Sequence, residues 1–231
     1  MDGEVALQRA LADLVPTAFL EWQAIPGTAL EGFLLNADSA SKPLDHDVTR
    51  QVMEAPPFWS LLWPAGFLLC RLLAEFPELV LDRHCVDLGC GSGLLSAAVV
   101  KAGGRVVAAD TDPLSRSVTH LHVGRQGLSA SVVDHWEGVA ETLFLADFLY
   151  DEDNLTGLVA LLPRVEEVVV VDCRLESLQV EGFQYLGLRE EQAYPDLDPH
   201  REFGTVRIWY KGPRLDLWRG RLQGLESPFA G

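Results

Sequence analysis

Basic residues are few in this sequence. Across 231 residues there are 18 Lys and Arg against 34 Asp and Glu, and only Lys42, Lys101 and Lys211 are lysines. The formal charge of −16 at pH 7 repels phosphate backbones at long range. Nucleic acid is therefore not expected as a partner. A cationic surface, such as a lysine-bearing protein, is attracted instead. Acidity also serves solubility alone, and composition is compatible with both roles.

Cysteine is scarce too: Cys70, Cys85, Cys90 and Cys173. No pair has C-x-x-C spacing, and no Cys/His cluster has the spacing of zinc ligands, so no metal site is expected. All four have apolar neighbours and read as buried small hydrophobes, which suits a reducing cytosol. No apolar run is long enough to span a bilayer, so no membrane role is expected. The start "MDGEVALQRALADL" lacks the basic beginning and apolar centre of a secretory signal. The expected location is cytoplasmic. Internal repeats and low-complexity tracts are missing as well.

What is present is a chain 48% hydrophobic, long enough for one medium-large domain with a small N-terminal addition. Residues 4–14 have helical spacing, with Val5, Leu7, Leu11 and Leu14 roughly on one side. "TAFLEWQAI" and "ALEGFLLNA" form a hairpin around Pro26-Gly27. The polar stretch 37–56 reads as a loop with one helical turn. "PFWSLLWPAGFLLCRLLAEF" reads as an apolar helix, kinked or restarted at Pro64. The expected division is residues 1–56 as an extension of helix, hairpin and loop, and 57–231 as the main domain.

From residue 84 strands and helices alternate. "HCVDLG", "RVVAAD", "SASVVDH", "ETLFLAD" and "VEEVVVVD" are strand-like, with helical segments between most of them. "YLGLREEQAY" and "TVRIWYK" follow with no helix between, as an antiparallel pair at one edge. The pattern predicts an α/β fold, a doubly wound, mostly parallel sheet of seven strands with an antiparallel edge strand. The tail "RGRLQGLESPFAG" reads as loosely held.

The stretch "VDLGCGSGLL" follows the first strand of the alternating region and opens a helix. Ligands bind there in open α/β sheets. A dinucleotide fingerprint needs G-x-G-x-x-G, but Leu94 or Ser96 stands where the third glycine belongs. There is no G-x-x-x-x-G-K. The pattern is instead Asp87, Gly89, Gly91, Gly93. A carboxylate just before the glycines is awkward for a pyrophosphate and suits a cation. Asp110 ends the next strand, 21 residues after Gly89, where a carboxylate accepts from both ribose hydroxyls. S-adenosylmethionine, a nucleoside with an ammonium and a sulfonium but no phosphate, meets both conditions. Asp134 ends the following strand and can take an adenine amino group, with Trp136 covering the ring; the alternative is a plain loop with a core aromatic. Asp147 ends "ETLFLAD", at the rim where a methyl group would be transferred. Glu152 and Asp153 read as helix N-terminal acids.

"VDLGCGSGL" followed by "AADTDP" resembles the class I, seven-strand S-adenosylmethionine-dependent methyltransferases, with their Rossmann-like sheet. "APPFWSLLWPAGFLLCRLL" and "LADFLYDED" are similar to the branch of the electron-transfer-flavoprotein beta-subunit lysine methyltransferases and the bacterial predicted nicotinamide N-methylases. The resemblance implies that Asp87, Gly89, Gly91 and Gly93 hold the methionine end of S-adenosylmethionine. It implies that Asp110, with Thr111 beside it, holds the ribose, and that Trp63 lines the pocket together with Trp59. Asp147 and Tyr150 match the motif beside the transferable methyl and take the catalytic roles. The branch ends its helix after the second acidic motif in an asparagine-rich stretch, whereas this chain reads "HLHVGRQG". The implied activity is N-methylation of a lysine on a protein substrate. The alternatives are N-methylation of a small amine or heteroaromatic and a non-catalytic module that binds S-adenosylmethionine.

Overall fold

In the computed structural model, which describes residues 2–40, 43–149, 152–197 and 204–225, the run Val165–Asp172 forms a strand whose last six residues are all buried. A valine run this apolar needs cover on both faces, and alternating helices provide it. In chain order the elements are α1 (Asp2–Leu14), β1 (Leu20–Ala24), β2 (Glu31–Leu35), α2 (Ala37–Ala40), α3 (His46–Glu54) and α4 (Pro64–Glu75). Then come β3 (His84–Leu88), α5 (Leu94–Lys101), β4 (Arg105–Ala109), α6 (Pro113–Arg125), β5 (Ser131–Val133), β6 (Ala140–Ala146) and α7 (Glu152–Leu161). The chain continues with β7 (Val165–Asp172), β8 (Gln184–Glu190), β9 (Thr205–Lys211) and α8 (Leu215–Gly224).

β1 and β2 pair antiparallel, as a hairpin; the other seven strands form one sheet in the order β5-β4-β3-β6-β7-β9-β8. The first five run parallel, and β9 lies antiparallel between β7 and β8. The reversed strand is thus one position in from the edge. The chain runs outward from β3 to β5 and then returns to the other side of β3 to lay down β6. That reversal sets the carboxyl ends of β3 and β6 side by side, the usual place for a ligand.

Side chains of β7 alternate between two cores. Val169 and Val171 join Phe144, α4, α5 and Trp218 of α8 on one face. Val168 and Val170 join Leu143, Leu145 and Leu158 of α7 on the other. Pro64 to Leu73 of α4 are all buried, which explains why that stretch is apolar but for Arg71, which pairs with Glu191 at 2.7 Å. Pro64 occupies the first turn of α4, where its missing N–H costs nothing; Phe58–Ser60 ahead of it form a separate 3-10 turn. Of the two alternatives at Pro64, a kink or a restart, the structure has the restart, with a 3-10 turn rather than α-helix ahead of it. Leu7 and Leu11 of α1 pack with Phe33 and Leu35 against Trp59 and Val118 of α6. The hairpin is also pinned by Gln126 and Arg125 at the end of α6, which bond the Glu31 carbonyl and carboxylate at 2.7 and 3.1 Å.

Two expectations are corrected. The stretch 37–56 holds two helices, α2 and α3, because Asp45 caps the second by accepting the Val48 N–H at 2.9 Å. The first part of the expected loose tail is helical in α8, with Trp218 and Leu222 driven into the core; residues 226–231 lie outside the described ones. At the amino ends of the strands, Glu167 is buried among Arg214, Tyr210 and Thr142. Among the described residues no helix is long and apolar enough to cross a membrane.

Candidate cofactor and active site

A cavity of about 590 Å³ opens at the carboxyl ends of the parallel strands, within the range of small-molecule sites. Each strand contributes from its end: the glycine loop after β3, Asp110 and Thr111 after β4, Asp134 and Trp136 after β5, Asp147 after β6, and Arg174 after β7. The first four sets are the ones expected from sequence. Trp63, at the N-terminus of α4, closes the cavity from the side.

The three glycines have two different physical reasons. All adopt positive φ, at +73° for Gly89, +52° for Gly91 and +70° for Gly93. A Cβ on Gly89 would sit 2.4 Å from the Phe148 ring, and one on Gly93 would sit 2.2 Å from the Thr119 hydroxyl. Those two glycines let neighbouring elements pack. A Cβ on Gly91 would meet nothing closer than 4.0 Å, so the space above it is open to a ligand. Gly89 and Gly91 line the cavity, whereas Gly93 is withdrawn beneath the loop against α6.

Asp87 is 2% exposed and accepts the Ser96 hydroxyl at 2.7 Å. Burial pushes its carboxyl up to about 6, with the charge of Asp110 adding to the shift. Asp110 accepts the Gly91 N–H through one oxygen and the Asp112 N–H through the other, both at 2.9 Å. A carboxylate has about four lone-pair sites, so two remain for hydroxyls. Asp134 is exposed and bonds the N–H of its neighbour His135 at 2.9 Å.

Asp147 is held more tightly than its sequence position indicates. Its φ is +50°, and its two oxygens accept the N–H groups of Ala65 and Cys173 at 2.9 and 2.8 Å. Burial, with help from the Asp172 charge, raises its carboxyl to about 6. Trp63 donates its indole N–H to the Phe58 carbonyl at 3.1 Å and meets the Phe58 ring edge-on at 5.6 Å. Both aromatics line the cavity, but Trp59 does not: it is 2% exposed in the N-terminal cluster, because the 3-10 turn sends Trp59 away from Phe58 and Trp63. Tyr150 lies outside the described residues.

Sequence reasoning missed Arg174. Its guanidinium lies over the rings of Trp63 and Phe58, at 5.4 and 5.9 Å from their centres. Its place just after a buried strand was legible; its stacking on residues more than a hundred positions earlier was not. Carboxylates still dominate the lining, with Asp87, Asp110, Asp112, Asp134, Glu137 and Asp147 against the one arginine. That donor set, with the clear space over Gly91, fits a cationic nucleoside and opposes a pyrophosphate.

Comparison with known proteins agrees with this geometry. The family model described as Ribosomal protein L11 methyltransferase (PrmA) matches residues 73–147. The Electron transfer flavoprotein beta subunit lysine methyltransferase of Danio rerio is 33% identical over 113 residues, covering 44% of this chain and 42% of that protein. Its Homo sapiens counterpart is 31% identical with the same coverage. The matched part thus spans less than half of each relative's length. Among solved structures, the 16S rRNA N2 G1207 methyltransferase (RsmC) of T. Thermophilus, in complex with AdoMet and guanosine, covers 86% of this chain and 51% of its own. The TM-score is 0.51 at 18% identity, a likeness of fold. The chain therefore has the fold of the class I S-adenosylmethionine-dependent methyltransferases, and over part of its length it is similar in sequence to the electron-transfer-flavoprotein beta-subunit lysine methyltransferases.

Proposed function

We propose that this chain transfers a methyl group from S-adenosylmethionine to a lysine side chain of a protein substrate. The observation that carries the reading is the meeting, in one cavity, of the open glycine loop and the carboxylates that end β4 and β6. Likeness to relatives named as lysine methyltransferases supports the choice of acceptor. The chain's charge of −16 favours a basic acceptor surface over nucleic acid. Four buried free cysteines accord with a reducing compartment such as the cytoplasm.

When bound, S-adenosylmethionine supplies an electrophilic methyl group on a sulfonium. Asp87 and the backbone around Gly91 hold its methionine end, Asp110 and Thr111 its ribose, and Asp134 and Trp136 its adenine. Trp63 walls the cavity between cofactor and acceptor. Asp147 orients the incoming amine with lone pairs not used by Ala65 and Cys173. A lysine with a pKa near 10.4 costs about 4–5 kcal/mol to present as the neutral amine at pH 7. Desolvation by Trp63 and Phe58 reduces that cost, and so does the positive Arg174 on the same rim. Asp147 acts in the opposite sense, so alignment rather than base catalysis supplies most of the rate. Acceptor choice is assigned to the hairpin and the 37–56 segment of the 1–56 extension, and to the acidic segment 190–200 of the 57–231 domain.

The test is incubation of methyl-labelled cofactor with cell lysate and the purified chain. Label in a protein band, lost on Asp87→Ala or Asp147→Ala, is the expected result. Label confined to small molecules would identify a small-molecule N-methyltransferase, to which the aromatic pair Phe58 and Trp63 is also suited. Binding without transfer would leave a cofactor-binding module, and no binding would overturn every one of these readings.

A further inference from the structure

The helix α6 presents Ser115, Thr119 and His122 on one face, spaced four and three residues apart, all buried. Thr119 fills the gap left by Gly93 and lies 3.3 Å from the Cys90 sulfur. His122, one turn further on, does something different. Its ring is fully buried, and Nε2 accepts the backbone N–H of Phe33 at 2.7 Å. With Nε2 as acceptor, the neutral ring carries its proton on Nδ1, which donates to the Ser92 carbonyl at 2.7 Å. Ser92 sits between Gly91 and Gly93 in the glycine loop and lines the cavity. One imidazole therefore joins the N-terminal hairpin to the backbone that faces the ligand.

The hairpin is built to hold this link. Phe33 is paired opposite Trp22, and its N–H is directed away from that pair to the imidazole. The Trp22 ring meets the His122 ring edge-on at 5.8 Å and packs on Phe33 at 5.5 Å. Burial holds the imidazole neutral, with its pKa lowered to about 4. The relay from amide through imidazole to carbonyl thus persists across ordinary pH. An ordinary buried histidine would need only two partners. These two belong to different functional units, a loop that carries the cofactor and an extension outside the sheet.

We infer that His122 is a positioning residue that couples the N-terminal hairpin to the glycine loop, so that cofactor binding and ordering of the hairpin reinforce each other. This rests on the cofactor reading above and adds a role that the reading does not contain. Coupling between two sites is reciprocal, so a bound cofactor must stabilise the hairpin by the factor that the hairpin lends to the cofactor. The amide of Phe33, bonded to a side chain rather than to a strand, reports it directly.

The experiment measures amide exchange at Phe33 in the wild-type chain, with and without saturating S-adenosylmethionine, and cofactor affinity by calorimetry in two variants. In His122→Gln the side-chain oxygen reaches the position of Nε2 and keeps the Phe33 bond, while the Ser92 bond is lost. In His122→Asn the amide nitrogen replaces Nδ1 and keeps the Ser92 bond, while the Phe33 bond is lost. We expect exchange at Phe33 to slow about tenfold on cofactor binding in the wild type. Cofactor affinity falls about tenfold in both His122→Gln and His122→Asn, since either change breaks the link, and in both the slowing at Phe33 disappears. A purely structural histidine would lower thermal stability and leave the cofactor-dependent slowing intact. Wild-type chain that binds cofactor with unchanged exchange at Phe33 overturns the coupling, whether or not the variants fold. Wild-type chain that binds no cofactor overturns the cofactor reading itself, and the coupling with it.

Discussion

Asp147 accepts the backbone N–H of Ala65 at 2.9 Å, tying the end of β6 to the first turn of α4. The first N–H groups of a helix have no partner within it, and a carboxylate there also favours the positive end of the helix. The other oxygen does the same for Cys173 after β7 at 2.8 Å. Asp147 therefore frames three walls of the cavity before it meets any acceptor.

That double use separates two substitutions. Asp147→Asn tolerates the φ of +50° and keeps one acceptor, so unfolding stability falls by about 1–2 kcal/mol. Asp147→Ala loses both acceptors and strains the backbone, and falls by about 3–5 kcal/mol. Methyl transfer drops in both by about 100-fold or more. Urea unfolding and labelled-methyl assays read the two effects apart. An alanine variant as stable as the wild type would refute the framing role.

The glycines make a second contrast. Gly93→Ala brings a Cβ to 2.2 Å from Thr119 in a left-handed conformation, and costs about 2–4 kcal/mol of stability. Gly91→Ala meets open space and costs only about 1–2 kcal/mol for its φ. Cofactor affinity behaves in the reverse order. Calorimetric titration on folded protein shows the larger loss at Gly91, whose Cβ would enter the cavity.

Asp87 and Asp147 carry the pH dependence. Both are raised by burial to about 6, above the value of 3.8 that applies when unfolded. The folded state then binds more protons than the unfolded state between those values. Their contribution to stability is full below pH 3.8 and is lost as pH rises through about 6. Without cofactor, Asp87→Asn is therefore more stable than the wild type at pH 7, by about 1–3 kcal/mol, and the difference vanishes toward pH 4. Cofactor affinity of the wild type runs the other way and tightens as pH rises through about 6, because the ligand's ammonium needs the ionised carboxylate. Denaturation and calorimetry at both ends of that range measure the two trends.

Glu167 tests the frame away from the cavity. Burial alone would raise its carboxyl, but hydrogen bonds from Arg214, Tyr210 and Thr142 outweigh it and hold it below the usual range. This contribution is present above the unfolded value and is lost as pH falls. Arg214→Ala leaves a buried carboxylate short of its main partner and costs about 3–5 kcal/mol. Cofactor affinity of the folded fraction stays unchanged, since this network sits at the opposite end of the strands. A selective loss of affinity without loss of stability would contradict that separation.

Much of this was legible in the residues alone. The alternation from 84 onward, the glycines at 89, 91 and 93, and the acids that end successive strands placed the cavity correctly, because each is a local pattern read within a few positions. The 37–56 segment was not legible as helix, since α3 is polar, has no buried residue and rests on its cap at Asp45. The first part of the tail was misread because the buried Leu222 and Leu225 outweigh a polar composition. Trp59 and Trp63 could not be told apart by spacing, because a 3-10 turn rather than a continuous helix separates them.

The sequence by itself determined the fold class, the location of the cavity and the acidic character of the residues around it. These depend on backbone geometry and residue type, which are properties of short stretches. Tertiary structure alone decided what each polar group is free to do. Asp147 and Ala65 are 82 positions apart, and His122 meets a partner 89 positions away. Whether a carboxylate or an imidazole is open to a ligand or bound to backbone depends on such distant partners, and no local spacing encodes them.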